Sequence, residues 1–408
     1  MGYSFISCNP LHLNLSIMKF KHFNYAAIVQ MLVIVLVVSS CSKSNDPVTP
    51  HKPPVSPPVT TVTYNYASLA DSLQTATYQT FISIDGNYFI QNNSGTTTFN
   101  YWPNANMLDV LTDGYLRTKN TLYTLRMKAL LNGIEVANGG AYPNEFYDDM
   151  GWLANASLRD YKITNDAAYL TVAQTLYTQI QGGSNTVEGG GIAWQRTQLY
   201  YKNIAATGNA TILASRMYEL LGNASDLALA KSLYSWMKTT LVNPTTGEVL
   251  DGINRLQDGQ VDDWVFTYNQ GLFIGSAVEL YNITKDPSYL QDAILTANNE
   301  IADPNLVTNG ILKNEGQGDG GLFKGVAVRY MTLLVQLTAL DAADRTKYEQ
   351  FLQNNAQSLY VKGIARPSYM ASPDWTQIIT GETDLTTQLS GVMMIEAAAE
   401  LKAGAEIQ

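Results

Sequence analysis

A closed double ring of twelve helices, an all-α (α/α)6 toroid, is the fold class that this 408-residue sequence predicts. Three features carry it. From about residue 63 onward, apolar spacing divides the chain into twelve helical segments of two alternating kinds. A helix-turn-helix unit recurs at an interval of 120 residues. The last segment, LSGVMMIEAAAEL (Leu389 to Leu401), is too apolar to be the polar cap that would end an open helical array.

The first kind of segment is ordinarily amphipathic and falls at 65–81, 119–133, 166–182, 225–241, 287–302 and 344–358. The second kind falls at 104–117, 147–161, 201–221, 265–283, 321–338 and 384–402, each behind a glycine-rich or aromatic-polar loop. Six of each makes an outer and an inner ring, with no β-rich region beyond short loop segments. The recurring unit is YKITNDAAYL (Tyr161 to Leu170) against YNITKDPSYL (Tyr281 to Leu290), with a degenerate third copy, LGNASDLALA, from Leu221 to Ala230. In each copy one helix ends and the next starts near an aspartate, Asp166, Asp286 or Asp226, able to cap it or complement its dipole. A repeat of this sort lets about 345 residues, residues 63–408, fold as one unit although a single core of that size would divide.

The N-terminus reads as an address. Met18-Lys19-Phe20-Lys21 precedes AAIVQMLVIVLVV (Ala26 to Val38), whose thirteen residues suit a signal-peptide core and are too few to span a bilayer. The run ends in VSSC, Val38 to Cys41, which resembles the lipobox of bacterial lipoproteins. Residues 1–40 are therefore expected to be a signal peptide with its true start at Met18. Cys41 becomes the lipidated first mature residue, and 41–62 form a proline-rich tether. An outer-membrane lipoprotein facing the cell surface or the periplasm follows.

Composition narrows the chemistry. The only histidines are His12, His22 and His51, and the only cysteines Cys8 and Cys41, so neither residue type occurs beyond residue 51. A Ser-His-Asp triad, a Cys-His dyad and a His- or Cys-built zinc site are excluded from the folded domain. A net charge of −10 argues against a nucleic-acid partner. Carboxylates, tyrosines or lysines must then supply any acid or base, and no metal or organic cofactor is expected.

In a double ring the loops ahead of the inner helices gather at one mouth. Here they read YWPNA (Tyr101 to Ala105), NEFYDDMGW (Asn144 to Trp152), GGGIAWQ (Gly189 to Gln195), VDDWVFTYNQG (Val261 to Gly271), EGQGDGGLFKG (Glu315 to Gly325) and GETDLTTQLSG (Gly381 to Gly391). Each combines glycine or an aromatic with an amide, hydroxyl or carboxylate, which suits a polyol: rings for C–H faces, amides and acids for hydroxyl pairs. Trp102, Asn104, Trp152, Trp194 and Gln195 are the sugar-contacting candidates. The adjacent carboxylates Asp148 and Asp149 are the candidate reacting pair, since glycosidic cleavage needs one carboxylic acid and one carboxylate. Side by side at a helix start, the one facing free backbone N–H groups stays ionised while its crowded neighbour keeps a proton. A second pair, Asp262 and Asp263 ahead of Trp264, competes with the first on residue type alone.

YDDMGW, GGIAW, TYNQG followed by LFIGSAVELY, and GLFKGVAVRY together resemble glycoside hydrolase family 76, bacterial and fungal endo-α-1,6-mannanases, over about Tyr101 to Leu401. The resemblance implies an (α/α)6 toroid that acts with retention on internal α-1,6-mannosidic bonds, with Asp148 as nucleophile and Asp149 as general acid/base. It also implies that Asp262 or Asp263, with Tyr268, Asn269 and Gln270, lines the cleft. The expected partners are an α-mannan substrate and, through the lipid anchor, a membrane; a monomer is expected. A hydrolase of another α-linked glycan and a non-catalytic glycan-binding lipoprotein remain the alternatives. If the lipobox reading holds, cells fed radioactive palmitate will label the wild-type chain and not the Cys41→Ser variant. Label retained by the variant would remove the anchor from the account.

Overall fold

The computed structural model describes residues 63–407; the signal peptide, Cys41 and the tether lie outside the described residues. Twelve α-helices occur among them. The inner set is α2 (Tyr101–Thr118), α4 (Tyr147–Thr164), α6 (Ile204–Leu221), α8 (Thr267–Thr284), α10 (Gly320–Gln336) and α12 (Leu385–Ile407). The outer set is α1 (Tyr66–Phe81), α3 (Thr121–Ala137), α5 (Ala167–Gln181), α7 (Ala224–Thr240), α9 (Pro287–Ala302) and α11 (Ala342–Ser358). Each inner helix packs against the next, from α2 through α4, α6, α8 and α10 to α12, and α12 packs back on α2. The ring is closed, and α1 covers α12.

Burial follows this arrangement. On α9 the buried residues Ala293, Thr296, Ala297 and Glu300 form one stripe at helical spacing. On α6 every residue from Ile204 to Met217 is buried, because both neighbours and the outer layer surround it. Packing on all sides demands small residues at the contacts: a Cβ added to Gly271 of α8 would lie 2.8 Å from the Cα of Ala327 in α10. Substitution there would push the two helices apart.

The recurring unit is a helix-reversal device. The carbonyl of Tyr161 accepts from Asn165 N at 2.8 Å, Asn165 turns left-handed (φ 56°), and Asp166 then caps α5 by accepting from Ala168 N at 2.9 Å. Tyr281, Lys285 and Asp286 repeat this ahead of α9, with Asp286 accepting from Ser288 N at 3.0 Å. Caps of this kind contribute about 1 kcal/mol each. The degenerate copy works differently: Gly222 takes the left-handed turn, and Asp226 sits inside the first turn of α7, accepting from the Tyr177 hydroxyl at 3.0 Å. A further copy, Tyr115, Lys119 and Asn120, joins α2 to α3 and escaped the sequence comparison because its cap is asparagine.

Two inner helices start elsewhere than expected. α2 begins at Tyr101 rather than 104, with Pro103 tolerated in its first turn, where no intrahelical N–H is missed. α6 begins at Ile204 because Lys202–Asn203 form a short strand, β1, paired to β2 (Gly252–Ile253), itself paired to β3 (Val261–Asp262). The far end of the ring, formed by the C-terminal halves of the inner helices, holds a cavity of about 430 Å³ lined by arginines and carboxylates. Arg159 pairs with Asp113 at 2.7 Å and also with Asp109; Arg216 pairs with Glu279 at 2.7 Å. Burial raises the Asp109 carboxyl, but Arg159 and Arg329 outweigh it and hold the group below its ordinary value.

Glu300 of α9 is fully buried and neither carboxyl oxygen has a hydrogen-bond partner. Burial, then the nearby Glu315, pushes it from 4.5 up to about 8. A raised folded-state value means the contribution to stability is complete below about pH 4.5 and lost as pH rises through about 8. Thermal melts at pH 5 and pH 8.5 should therefore show a smaller alkaline loss for Glu300→Gln than for wild type; equal losses would mean that Glu300 is not the titrating group.

Candidate active site

The inner helices alternate with outer ones along the chain, so all six run the same way and their N-terminal ends meet at one mouth. A cavity of about 520 Å³ opens there. Five of the six helix starts supply it: Trp102 from α2, Asp148 and Asp149 from α4, Asn203 capping α6, Tyr268 from α8, and Asp319 and Phe323 around the start of α10; α12 adds nothing to its lining.

Helix α4 starts without a side-chain cap. Tyr147 N instead donates to the Trp194 carbonyl at 2.9 Å, and Asp149 N donates to Asp148 Oδ1 at 3.0 Å. Asp148 therefore uses an amide at the positive end of the helix, and the nearby Trp194 indole also acts to lower its carboxyl. Burial still pushes Asp148 up, to about 7, against these hydrogen bonds, with Asp319 adding to the rise. Nothing offsets the rise on Asp149: burial, then Asp148, then Asp319 push it well above its ordinary value. Between the two, Asp148 is the readier to ionise and Asp149 the readier to keep a proton.

Across the cavity, Asp251 receives two phenols, the Tyr201 hydroxyl at 3.0 Å and the Tyr268 hydroxyl. Burial raises Asp251 while the two phenols lower it. The walls are aromatic. Trp102 lies 6.0 Å from Trp152, and Phe323 lies 4.5 Å from Tyr268 and 5.1 Å from Phe266. At the rim, Trp264 is 44% exposed with the Arg255 guanidinium 4.5 Å from its ring centre. Rings and paired carboxylates in one cleft are what a polyol requires.

Of the residues selected from sequence, Asp148, Asp149, Trp102, Trp152, Trp194 and Tyr268 face this cavity. The others do not, and two of them, Asn104 and Gln270, share a reason. Asn104 is buried, accepting from Phe89 N at 2.7 Å and donating to Phe89 O at 3.0 Å. Gln270 does the same to Val249, at 3.0 and 2.9 Å. Both are the fourth residue of an inner helix, as are Thr207 and Gln388, which bond the backbones of Ile192 and Ala371. In these four helices the position clamps the preceding loop to the helix, whereas the fourth residue of α10, Phe323, faces the cavity. Asn269 donates to the Trp264 carbonyl at 3.2 Å, and Gln195 donates to Glu145. Asp262 turns to Arg255 at 2.9 Å and Asp263 is exposed outside the cavity, so neither lines it. The residues that do, beyond those expected, include Asp251, Arg255 and Asp319. Asp319 belongs to one of the six mouth loops already read as unusual; Asp251 lies in the stretch Val242 to Gly252, which carries Gly247 and Gly252 but no aromatic residue.

A closed double ring of helices with a carboxylate pair in an aromatic cleft defines a glycoside hydrolase. The chain belongs to Glycosyl hydrolase family 76, whose sequence pattern matches residues 68–405. The α-1,6-mannanase GH76A of Salegentibacter sp. HEL1_6 is 46% identical, with 83% of this chain and all of that one aligned and a TM-score of 0.81. An inactive variant of that enzyme, two consecutive aspartates replaced by asparagine, has been solved with α-1,6-mannotriose (45% identity, TM-score 0.81, the same coverage). A GH76 α-mannanase of Bacteroides thetaiotaomicron, 20% identical with a TM-score of 0.70 over 84% of this chain and 98% of that one, shares the fold. Mannan endo-1,6-alpha-mannosidase DCW1 of Candida albicans is 25% identical over 246 residues, 56% of this chain; the match spans about half the length of that curated relative, 54%.

Trp194→Phe removes the indole donor and keeps the ring. The Asp148 carboxyl should then titrate higher than in wild type, by about one pH unit for a lost charge-assisted hydrogen bond. Carboxyl 13C NMR of the two proteins reads this, and coincident titration curves would remove Trp194 from the role.

Proposed function

We propose that this chain is a retaining endo-α-1,6-mannanase in which Asp148 is the nucleophile and Asp149 the general acid/base. The observation that carries the reading is the unequal surroundings of the two neighbours: Asp148 accepts the Asp149 N–H at 3.0 Å at the head of α4, while burial and the other carboxylates bear on Asp149 with no hydrogen bond to offset them. In the first step an Asp148 oxygen bonds the anomeric carbon as the glycosidic C–O bond breaks, and Asp149 gives its proton to the departing oxygen. In the second, Asp149 takes a proton from water, whose oxygen bonds the anomeric carbon while the bond to Asp148 breaks. Two inversions leave the configuration unchanged.

Three things support the substrate assignment. The family is shared, the Salegentibacter enzyme is an α-1,6-mannanase, and its double-aspartate variant is inactive and was solved with α-1,6-mannotriose. Trp102, Trp152, Phe323 and Tyr268 offer flat faces to successive sugar rings, and Asp251 with its two tyrosines is suited to a hydroxyl pair. The lipobox-like VSSC run and the proline-rich segment after it support a membrane-anchored domain at the outer membrane. The signature there is sequence alone.

Purified protein should release new reducing ends from unbranched α-1,6-mannan, with a ladder of oligosaccharides and the α-anomer formed first. Asp148→Ala and Asp149→Ala should each lower kcat by at least about 1,000-fold, as loss of a nucleophile or acid does. Wild-type protein that binds mannan yet releases nothing would make this a glycan-binding protein, and release only from another α-linked glycan would move the substrate.

A further inference from the structure

The double displacement leaves one carboxylate of the cavity without a task. Asp319 lies one residue ahead of α10 and opens onto the same space as Asp148 and Asp149. Its loop is fastened with care. Gly318, left-handed at φ 61°, donates its N–H to Asp384 at 2.7 Å. The Gln317 amide accepts from Asp384 N at 2.8 Å and donates to the Glu382 carbonyl at 3.0 Å. The Asp319 carboxylate itself receives the Trp102 indole N–H at 2.8 Å, and the Trp102 ring packs 6.0 Å from Trp152, one turn beyond Asp148. Two loops and an aromatic pair thus hold a negative charge against the start of α4.

We propose that Asp319 is a positioning residue whose charge holds the proton on Asp149 and so sets the pH window of the reaction. This rests on the assignment of Asp148 and Asp149 made above. The charged and titratable groups around Asp149 are Asp148 on α4, Tyr101 on α2 and Asp319 ahead of α10. Further across the cavity stand Asp251, Tyr201, Tyr268 and Arg255. Arg255 is engaged by Asp262, and Asp251 by its two tyrosines. Besides Asp148 itself, Asp319 is therefore the carboxylate left to act on Asp149. Burial is the larger cause of the upward displacement of both members of the pair, and the charge of Asp319 adds to each. A negative neighbour favours the protonated acid because a second anion in a poorly solvated site is costly.

The test is the pH dependence of kcat/KM on an α-1,6-manno-oligosaccharide for wild type, Asp319→Asn and Asp319→Glu. The asparagine variant keeps an oxygen for the Trp102 indole and loses only the charge. Both limbs of its profile should move to lower pH by about one unit, so that activity above the wild-type optimum falls about tenfold. The glutamate variant, charge retained, should keep the wild-type profile. An asparagine profile coincident with wild type, with only KM raised, makes Asp319 a sugar contact and overturns the proposal. Should the asparagine variant not fold, Asp319→Ser repeats the test; failure of both to fold would make the residue structural and overturn the proposal too. A wild type that releases no sugar would sink the mannanase reading alone, since 13C NMR titration of Asp149 in wild type and Asp319→Asn still reads the effect of the charge.

Discussion

The parallel run of the six inner helices is the constraint on which the rest of the molecule depends. It sends six positive helix ends to one mouth and six negative ends to the other. Carboxylates collect at the first: Asp148 and Asp149 in the first turn of α4, Asp319 just ahead of α10, Asp251 close beside β2. Arginines collect at the second: Arg117, Arg159, Arg216 and Arg329, each paired with carboxylates. One axial polarity thus accounts for the acid chemistry at one end and the arginine–carboxylate pairs that neutralise the other.

Much of this was legible in the chain. The alternation of amphipathic and nearly all-buried segments separates outer from inner helices, and the absence of a polar terminal helix requires closure. Asp148 and Asp149 are recognisable because two adjacent acids at a helix start have few structural uses. Less visible was which way a polar residue in the first turn points. Asn104 and Gln270 have the residue type of sugar ligands, yet in α2 and α8, as in α6 and α12, the fourth position faces back toward the preceding loop, and the buried loop amides there need partners. That rule depends on the rise of the helix relative to the loop, which spacing in sequence does not encode.

The second carboxylate pair shows the same limit in a strand. Asp262 pairs across from Gly252 in a register that turns its side chain to Arg255, while Asp251, one residue before β2, reaches the tyrosines of the cleft. In a two-residue strand a shift of one position reverses which face a side chain occupies. Neither the adjacency of Asp262 and Asp263 nor the neighbouring Trp264 settles that register.

Closure of the ring also governs when the molecule becomes itself. The seam between α1 and α12 is sewn by Gln74 Nε2 to Glu396 Oε1 at 3.0 Å, a bond between residues 322 positions apart, and Arg117 grips Glu396 from α2 at 2.6 Å. Five hairpins can wind in succession and still lack the final wall, because α12 follows all the other helices along the chain. Contacts so distant along the chain slow folding.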